Sequence, residues 1–246
     1  MRRFVVFFLA ICCFTGCVGS GKAKKTGEMP VPKITLDDPA IVPVSRSTQW
    51  WVDRHDTRIH DIIKNQKIIF IGDSITQGYE RTEAWEELKT KYNNRITNLG
   101  FSGDRTEHVL WRLLNGEFPI GINPEYVVIM IGTNNNNEPE SIAAGIGEIL
   151  KTINATAPKS KILLFSLLPR GSGTDDSGTK RNYAVNQIIE KYDGYLNTKY
   201  IDISKYYVTD TGKLKEGLFS DRLHLTPEGY TIWKDKIIEI LGKNQE

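Results

Sequence analysis

Four short blocks of this 246-residue chain carry the residue types that acyl transfer from an ester requires. Ser74 follows Gly72 and Asp73, Gly103 follows Phe101 and Ser102, Asn134 follows Gly132 and Thr133, and Asp221 stands three residues before His224. A serine hydroxyl is a weak nucleophile near neutral pH and needs a general base, a task suited to an imidazole. A carboxylate must fix the tautomer of that imidazole and stabilise its charged form. The tetrahedral oxyanion needs preorganised donors, for which the Ser74 and Gly103 N–H groups and the Asn134 amide are candidates. Ser74, His224 and Asp221 are therefore the candidate catalytic residues, and Ser74, Gly103 and Asn134 the candidate oxyanion hole. Each block alone also suits a turn or a helix start. Their joint appearance in loops that follow strands is what singles them out.

The elements that position these loops are legible from hydropathy. Residues 68–71 (Ile-Ile-Phe-Ile) form an uncharged, β-branched run, the pattern of a strand buried on both faces. It stops at Gly72-Asp73-Ser74, which puts a hydroxyl at the carboxyl end of the strand, the edge where open α/β sheets bind ligands. Residues 126–131 (YVVIMI) repeat the pattern, and shorter strands are expected at 95–99, 161–168 and 200–203. Helices are expected at 47–65 with Ser47 as cap, at 84–92, at 104–115 opening with the pair Asp104 and Glu107, at 141–153 and at 180–192. Thr226 caps a final helix with Pro227 in its first turn. This reading leaves the Gly103 N–H at a positive helix end. Strand–helix alternation predicts a parallel sheet with helices on both faces, in one domain spanning 47–246.

The N-terminus reads differently. Arg2 and Arg3 precede an apolar run at 4–14, too short for the roughly 20 residues of a membrane span, so the pattern is that of a secretion signal. It ends in Phe14-Thr15-Gly16-Cys17, which resembles a bacterial lipobox. That resemblance implies a lipidated Cys17, residues 1–17 as signal and attachment to a membrane in the bacterial cell envelope. Residues 18–46 are rich in Gly, Lys and Pro and are expected to form a flexible tether. The only cysteines are Cys12, Cys13 and Cys17, so no disulfide or thiolate metal site is expected in the domain. His55 and His60 read as packing or surface residues, because no cysteine or carboxylate cluster accompanies them at metal-site spacing; His108 reads as a packing residue beside Trp111. No metal and no cofactor are expected. Without Arg2 and Arg3 the 32 Lys and Arg fall to 30, equal to the 30 Asp and Glu. A balance near zero argues against a nucleic-acid partner.

Other motifs fail on context. The loop after the first strand lacks the Gly-Lys-Ser/Thr ending of a P-loop, and Ser74 lacks the second glycine of a Gly-x-Ser-x-Gly elbow. The four blocks together are similar to those of the SGNH/GDSL hydrolase family. Residues 103–113 (GDRTEHVLWRL), 132–135 (GTNN), 167–171 (LLPRG) and 223–226 (LHLT) further resemble the catalytic subunits of intracellular platelet-activating-factor acetylhydrolase. The resemblance implies a flavodoxin-like three-layer α/β/α fold with a central, mainly parallel five-stranded sheet, and the catalytic roles already named. It implies a carboxylic ester hydrolase acting on small acyl groups, with acetyl expected. The export signal favours an acetylated glycan or small molecule as substrate. Hydrolysis of a phospholipid acetyl ester, acyl transfer to a sugar alcohol, and a non-catalytic carbohydrate-binding protein are the alternatives. The polar loop 171–178 (GSGTDDSG) lies near the active edge in this reading and is a place where specificity could be set.

Overall fold

The computed structural model describes residues 24–61 and 66–242. The expected signal, Cys17 and the first part of the expected tether lie outside them. Five parallel strands form one sheet in the order β2-β1-β3-β4-β5: β1 Ile68–Gly72, β2 Ile96–Gly100, β3 Tyr126–Met130, β4 Lys161–Phe165 and β5 Thr198–Ile201. Every residue of β1, β2 and β3 is buried, as their uncharged sequences require. Successive side chains serve opposite faces. Ile69, Ile71, Val127 and Ile129 join one core with α5 (Pro139–Thr156) and α6 (Ser177–Ile189), while Ile68, Phe70 and Val128 join the other with α3 (Glu83–Lys91) and α7 (Pro227–Gly242). Trp233 of α7 is fully buried and stacks on Tyr79 at 5.1 Å, closing the second face. The parallel five-stranded sheet and the helical layers on its two faces are those of the expected three-layer fold.

Three local readings are corrected. A helix absent from the sequence reading, α2 (Ser74–Tyr79), starts directly at the end of β1, with the Asp73 side chain accepting from the Ile75 N–H at 2.9 Å as its cap. Gly72 permits this: a Cβ there would lie 2.0 Å from Thr76 Oγ1 and 2.4 Å from the Met130 carbonyl. Helix α1 covers Gln49–Asp61, so Ser47 lies before its start; residues 62–65 lie outside the described part. Helix α4 spans Thr106–Arg112 and runs on into a π-helical turn over Leu113–Glu117, so the helix expected at 104–115 starts two residues later. Asp104 caps nothing; its carboxylate accepts from Trp51 Nε1 at 2.8 Å and from Arg112 Nε at 2.8 Å. The first amide of α4, Thr106 N–H, instead donates to Asn135 Oδ1 at 3.1 Å.

Residues 24–46 also depart from the tether reading. Met29 and Ala40 are buried, the Ala40 carbonyl accepts from Thr106 Oγ1 at 2.8 Å, and Asp38 accepts from Ser141 Oγ at 2.6 Å. A Pro-, Lys- and Gly-rich composition lacks a core of its own, yet a few anchors suffice to lay it along a finished domain.

Arg112 is the most demanding group in this architecture. It is fully buried, bonded to Asp104, paired through Nη1 with Glu117, and set 3.9 Å from the centre of the Phe101 ring. His55, stacked on Trp51, engages the other Glu117 oxygen at 2.9 Å. Removing one member of a buried ion pair strands the charges left behind and typically costs about 3–5 kcal/mol. Arg112→Met should therefore lower unfolding free energy in urea by that order, and a loss under about 1 kcal/mol would contradict this view of the network.

Candidate active site

The carboxyl ends of β1, β2 and β3 and the loop before α7 meet at one edge. Ser74 is the first residue of α2, half-buried, with its Oγ 2.9 Å from His224 Nε2. His224 Nδ1 lies 2.7 Å from Asp221 Oδ2. A carboxylate accepts, so Nδ1 carries the proton and Nε2 is left to accept from the serine hydroxyl. The backbone N–H groups of His224 and Leu223 donate to the other Asp221 oxygen at 2.7 and 3.1 Å. These amides, with the His224 ring, hold the Asp221 carboxyl below its ordinary range despite its exposure. Asp221 and His224 therefore orient each other within one short loop, and a residue in the left-handed region between them, Arg222 at φ 68°, makes its tight turn.

The loop after β2 brings Gly103 to the same edge. Gly103 has φ +75°, a conformation that favours glycine, and its turn is closed by the Asp104 N–H donating to the Phe101 carbonyl at 3.1 Å. It does not abut a helix end, as α4 begins three residues later. Among the described residues neither the Ser74 nor the Gly103 N–H donates to another protein group. The Asn134 side chain donates to the Asp104 carbonyl at 3.0 Å, which uses one of its two amide hydrogens and fixes the group beside the Gly103 turn. Ser102 N–H donates to Gln77 Oε1 at 2.7 Å, tying this turn to α2. All five sequence-selected positions thus reach one edge: His224 touches both Ser74 and Asp221, and Asn134 touches the Gly103 loop.

Two cavities open here. One of about 330 Å³ is lined by Ser74, Gln77, Gly78, Ser102, His224 and Tyr230, among others. The other, about 710 Å³, lies beyond Asn134 and Asp221 and includes Arg170 and Arg181. A wider hollow of about 910 Å³ along α3 has no nucleophile–base pair, so the chemistry is not there. Among the described residues no group of three or more His, Cys, Asp and Glu is placed to hold a metal, and no helix is long and apolar enough to cross a membrane. Among the described residues the hydrogen bond of His60 is to the Asp56 carbonyl of its own helix, and His108 accepts the Arg105 N–H at 3.0 Å.

The model of the GDSL-like lipase/acylhydrolase family matches residues 70–232. The alpha2 subunit of platelet-activating factor acetylhydrolase IB from Rattus norvegicus is 35% identical over 200 residues, covering 78% of this chain and 86% of that protein. The chain belongs to the GDSL-like lipase/acylhydrolase family. It is a carboxylic ester hydrolase on the same grounds. The fold of a GDSL-like lipase from Bacteroides thetaiotaomicron superposes with a TM-score of 0.66 at 22% identity, covering 78% of this chain and 97% of that one. An acetyl xylan esterase superposes with a TM-score of 0.55 at 20% identity, covering 70% and 98%.

Several residues at this edge of the GDSL fold were not legible as site residues. Arg46, in the segment expected to be a tether, donates to the Ser102 carbonyl at 2.7 Å and sits over Gly103. Arg170 and Arg181 both reach the Thr133 carbonyl, at 3.1 and 3.3 Å. An arginine's partners lie far off in sequence, and nothing local marks them. Asp73 was legible only as part of a turn. It is buried, and burial, with the nearby Asp104 charge, pushes its carboxyl up to about 7.

The Asp73 shift sets a pH dependence of stability. In the unfolded chain an aspartate ionises near 4. Between there and about 7 the folded protein keeps a proton that the unfolded chain has lost. The folded state is therefore favoured at the acid end, loses that advantage as pH rises through this window, and changes little above it. Asp73→Asn, which keeps an acceptor for Ile75 N–H, should gain on the wild type by roughly 2–3 kcal/mol between pH 5 and pH 8. A stability difference that stays constant over this range in denaturant titrations would refute it.

Proposed function

We propose that this ester hydrolase removes small acyl groups, acetyl above all, from carbohydrate in the bacterial cell envelope, through an acyl-enzyme on Ser74. The observation that carries the reading is His224 standing between Ser74 Oγ at 2.9 Å and Asp221 Oδ2 at 2.7 Å. His224 takes the Ser74 proton as the oxygen attacks the ester carbonyl, and Asp221 stabilises the imidazolium that forms. The N–H groups of Ser74 and Gly103 and the second hydrogen of the Asn134 amide receive the oxyanion. His224 then returns its proton to the departing alcohol, and the same base activates water to release the acid. Supporting the acetyl preference are the relatives named acetylhydrolase and the fold neighbour named acetyl xylan esterase. The carbohydrate assignment and the envelope location rest on the leader and the lipobox at Cys17, and that anchor would hold the domain at a membrane surface. A second reading, removal of acetyl from a lipid, is favoured by the 35% identity to a platelet-activating factor acetylhydrolase subunit.

Ser74→Ala should lose roughly 10³-fold or more in kcat on a chromogenic acetyl ester while folding normally, and His224→Ala nearly as much. The double variant should be little worse than either, because members of a catalytic unit are not additive. Losses that multiplied would show that the two residues act independently and would overturn the assignment.

Acyl length is a separate test. Turnover should fall steeply from acetyl to butyryl and longer esters, each extra methylene straining a small acyl site. Octanoyl esters hydrolysed faster than acetyl esters would replace the small-acyl reading with that of a lipase.

A further inference from the structure

We propose that the polar cavity beside the catalytic edge is a subsite for a carboxylate carried by the substrate itself, so that the enzyme's substrate is an acetylated acidic sugar. The proposal rests on the esterase reading above and adds the class of molecule that bears the ester.

The cavity, about 710 Å³, is shared with the active edge through Asn134 and Asp221 and carries three arginines, Arg170, Arg181 and Arg222. Its two acids are already engaged. Asp221 accepts from two backbone N–H groups and from His224. Asp176 caps α6, accepting from the Gly178 and Thr179 N–H groups at 2.8 and 3.3 Å. No ion pair links either acid to an arginine of the cavity among the described residues. Three arginines against these two carboxylates leave one positive charge in surplus beside the reacting ester.

Arg170 and Arg181 are aimed rather than free. Both donate to one carbonyl, that of Thr133, the residue before Asn134. That anchors both guanidinium planes beside the oxyanion donors while using one acceptor for two five-donor forks. Arg181 Nε is buried and has no partner among the described residues. Burial, and next the charge of Arg170, weaken the hold of Arg181 on its proton, and the nearby Asp176 carboxylate offsets this only in part. The loop that supplies Arg170 is fastened to the acid–base loop by the Gly171 N–H, which donates to the Arg222 carbonyl at 2.8 Å. The charge thus has a fixed place relative to His224. A planar guanidinium matches a planar carboxylate through two parallel hydrogen bonds. On an acidic sugar the carboxylate lies one ring away from an acetylated hydroxyl, so one molecule can span both cavities. The polar loop 171–178 supplies Gly171, Asp176, Ser177 and Gly178 to the wall.

The test uses the intact domain with methyl glucoside and methyl glucuronide monoacetylated at the same hydroxyl, reading released acetate. Wild type should show kcat/KM at least about 10-fold higher on the glucuronide, the size of one charge-assisted contact, and 0.5 M salt should shrink that ratio. Arg181→Gln should collapse the ratio towards one. Because Arg181 also holds Thr133, its loss slows both esters, and only the ratio identifies the subsite. Should that variant misfold, wild type serves: free glucuronate should inhibit hydrolysis of the neutral acetyl ester competitively, and glucose should not. Equal kcat/KM for the two sugars, or a preference for acetylated glycerol phosphate over the glucuronide, would overturn the carboxylate subsite while leaving the esterase reading intact. Failure to hydrolyse any of these esters would overturn both.

Discussion

The buried guanidinium of Arg112 is the constraint on which the catalytic edge depends. It pairs with Asp104 and Glu117 and also reaches the Leu99 carbonyl at 3.3 Å, so it binds the end of β2, the following loop and the segment after α4 into one unit. Two carboxylates and one arginine without exposed side-chain surface leave a negative charge in surplus, which Arg46, 3.5 Å from Asp104, balances from the rim and neutral donors solvate. Trp51 Nε1 attends Asp104, and His55 attends Glu117. Helix α1, which supplies both, is therefore held to the domain by polar contacts as well as packing. The consequence at the surface is geometric: with the Asp104 side chain pinned inward, its carbonyl is placed to receive Asn134, and Gly103 is left on the outer bend of the turn.

This arrangement separates rigidity from reactivity. The donors proposed for the oxyanion stand on a loop backed by a buried ion-pair network and on the first residue of a helix capped by Asp73. The pair proposed as base and acid occupies a more exposed loop, with side-chain exposures of 39% for His224 and 56% for Asp221. An exposed Asp–His pair gains little from Coulomb attraction alone. Its geometry comes instead from local backbone donors, since the N–H groups of Leu223 and His224 fix Asp221 before the imidazole is engaged. Electrostatic stabilisation of charge development works best where dipoles need not reorganise. The proposed oxyanion donors are the better-supported half of the site.

Strands were legible because burial on both faces demands uninterrupted apolar runs, as in residues 68–71 and 126–130. Their ends are less so: the apolar run 161–168 suggests one strand, yet β4 stops at Phe165 and the chain continues buried towards Arg170, its backbone bonded to Ile201, Asn186 and Asn182 instead of a neighbouring strand ladder. The blocks around Ser74, Gly103, Asn134, Asp221 and His224 were legible because each couples a turn-forming residue to a reactive or donor group. Asp104 was misread as a helix cap because its real partner Trp51 lies 53 residues away. Helix α2 was missed because six residues containing Gly78 give almost no periodic signal. Arg46, Arg170 and Arg181 stayed silent for the reason Asp104 did: their roles are created by tertiary contact.

In the proposed reaction His224 makes Ser74 the reactive nucleophile. Covalent trapping tests it most directly: the folded protein is treated with a fluorophosphonate ester and the modified peptide is sequenced by mass spectrometry. One phosphonyl group per chain is expected, on Ser74, formed far more slowly in His224→Ala. Modification of a different residue, or labelling of Ser74 at an unchanged rate without His224, would contradict it.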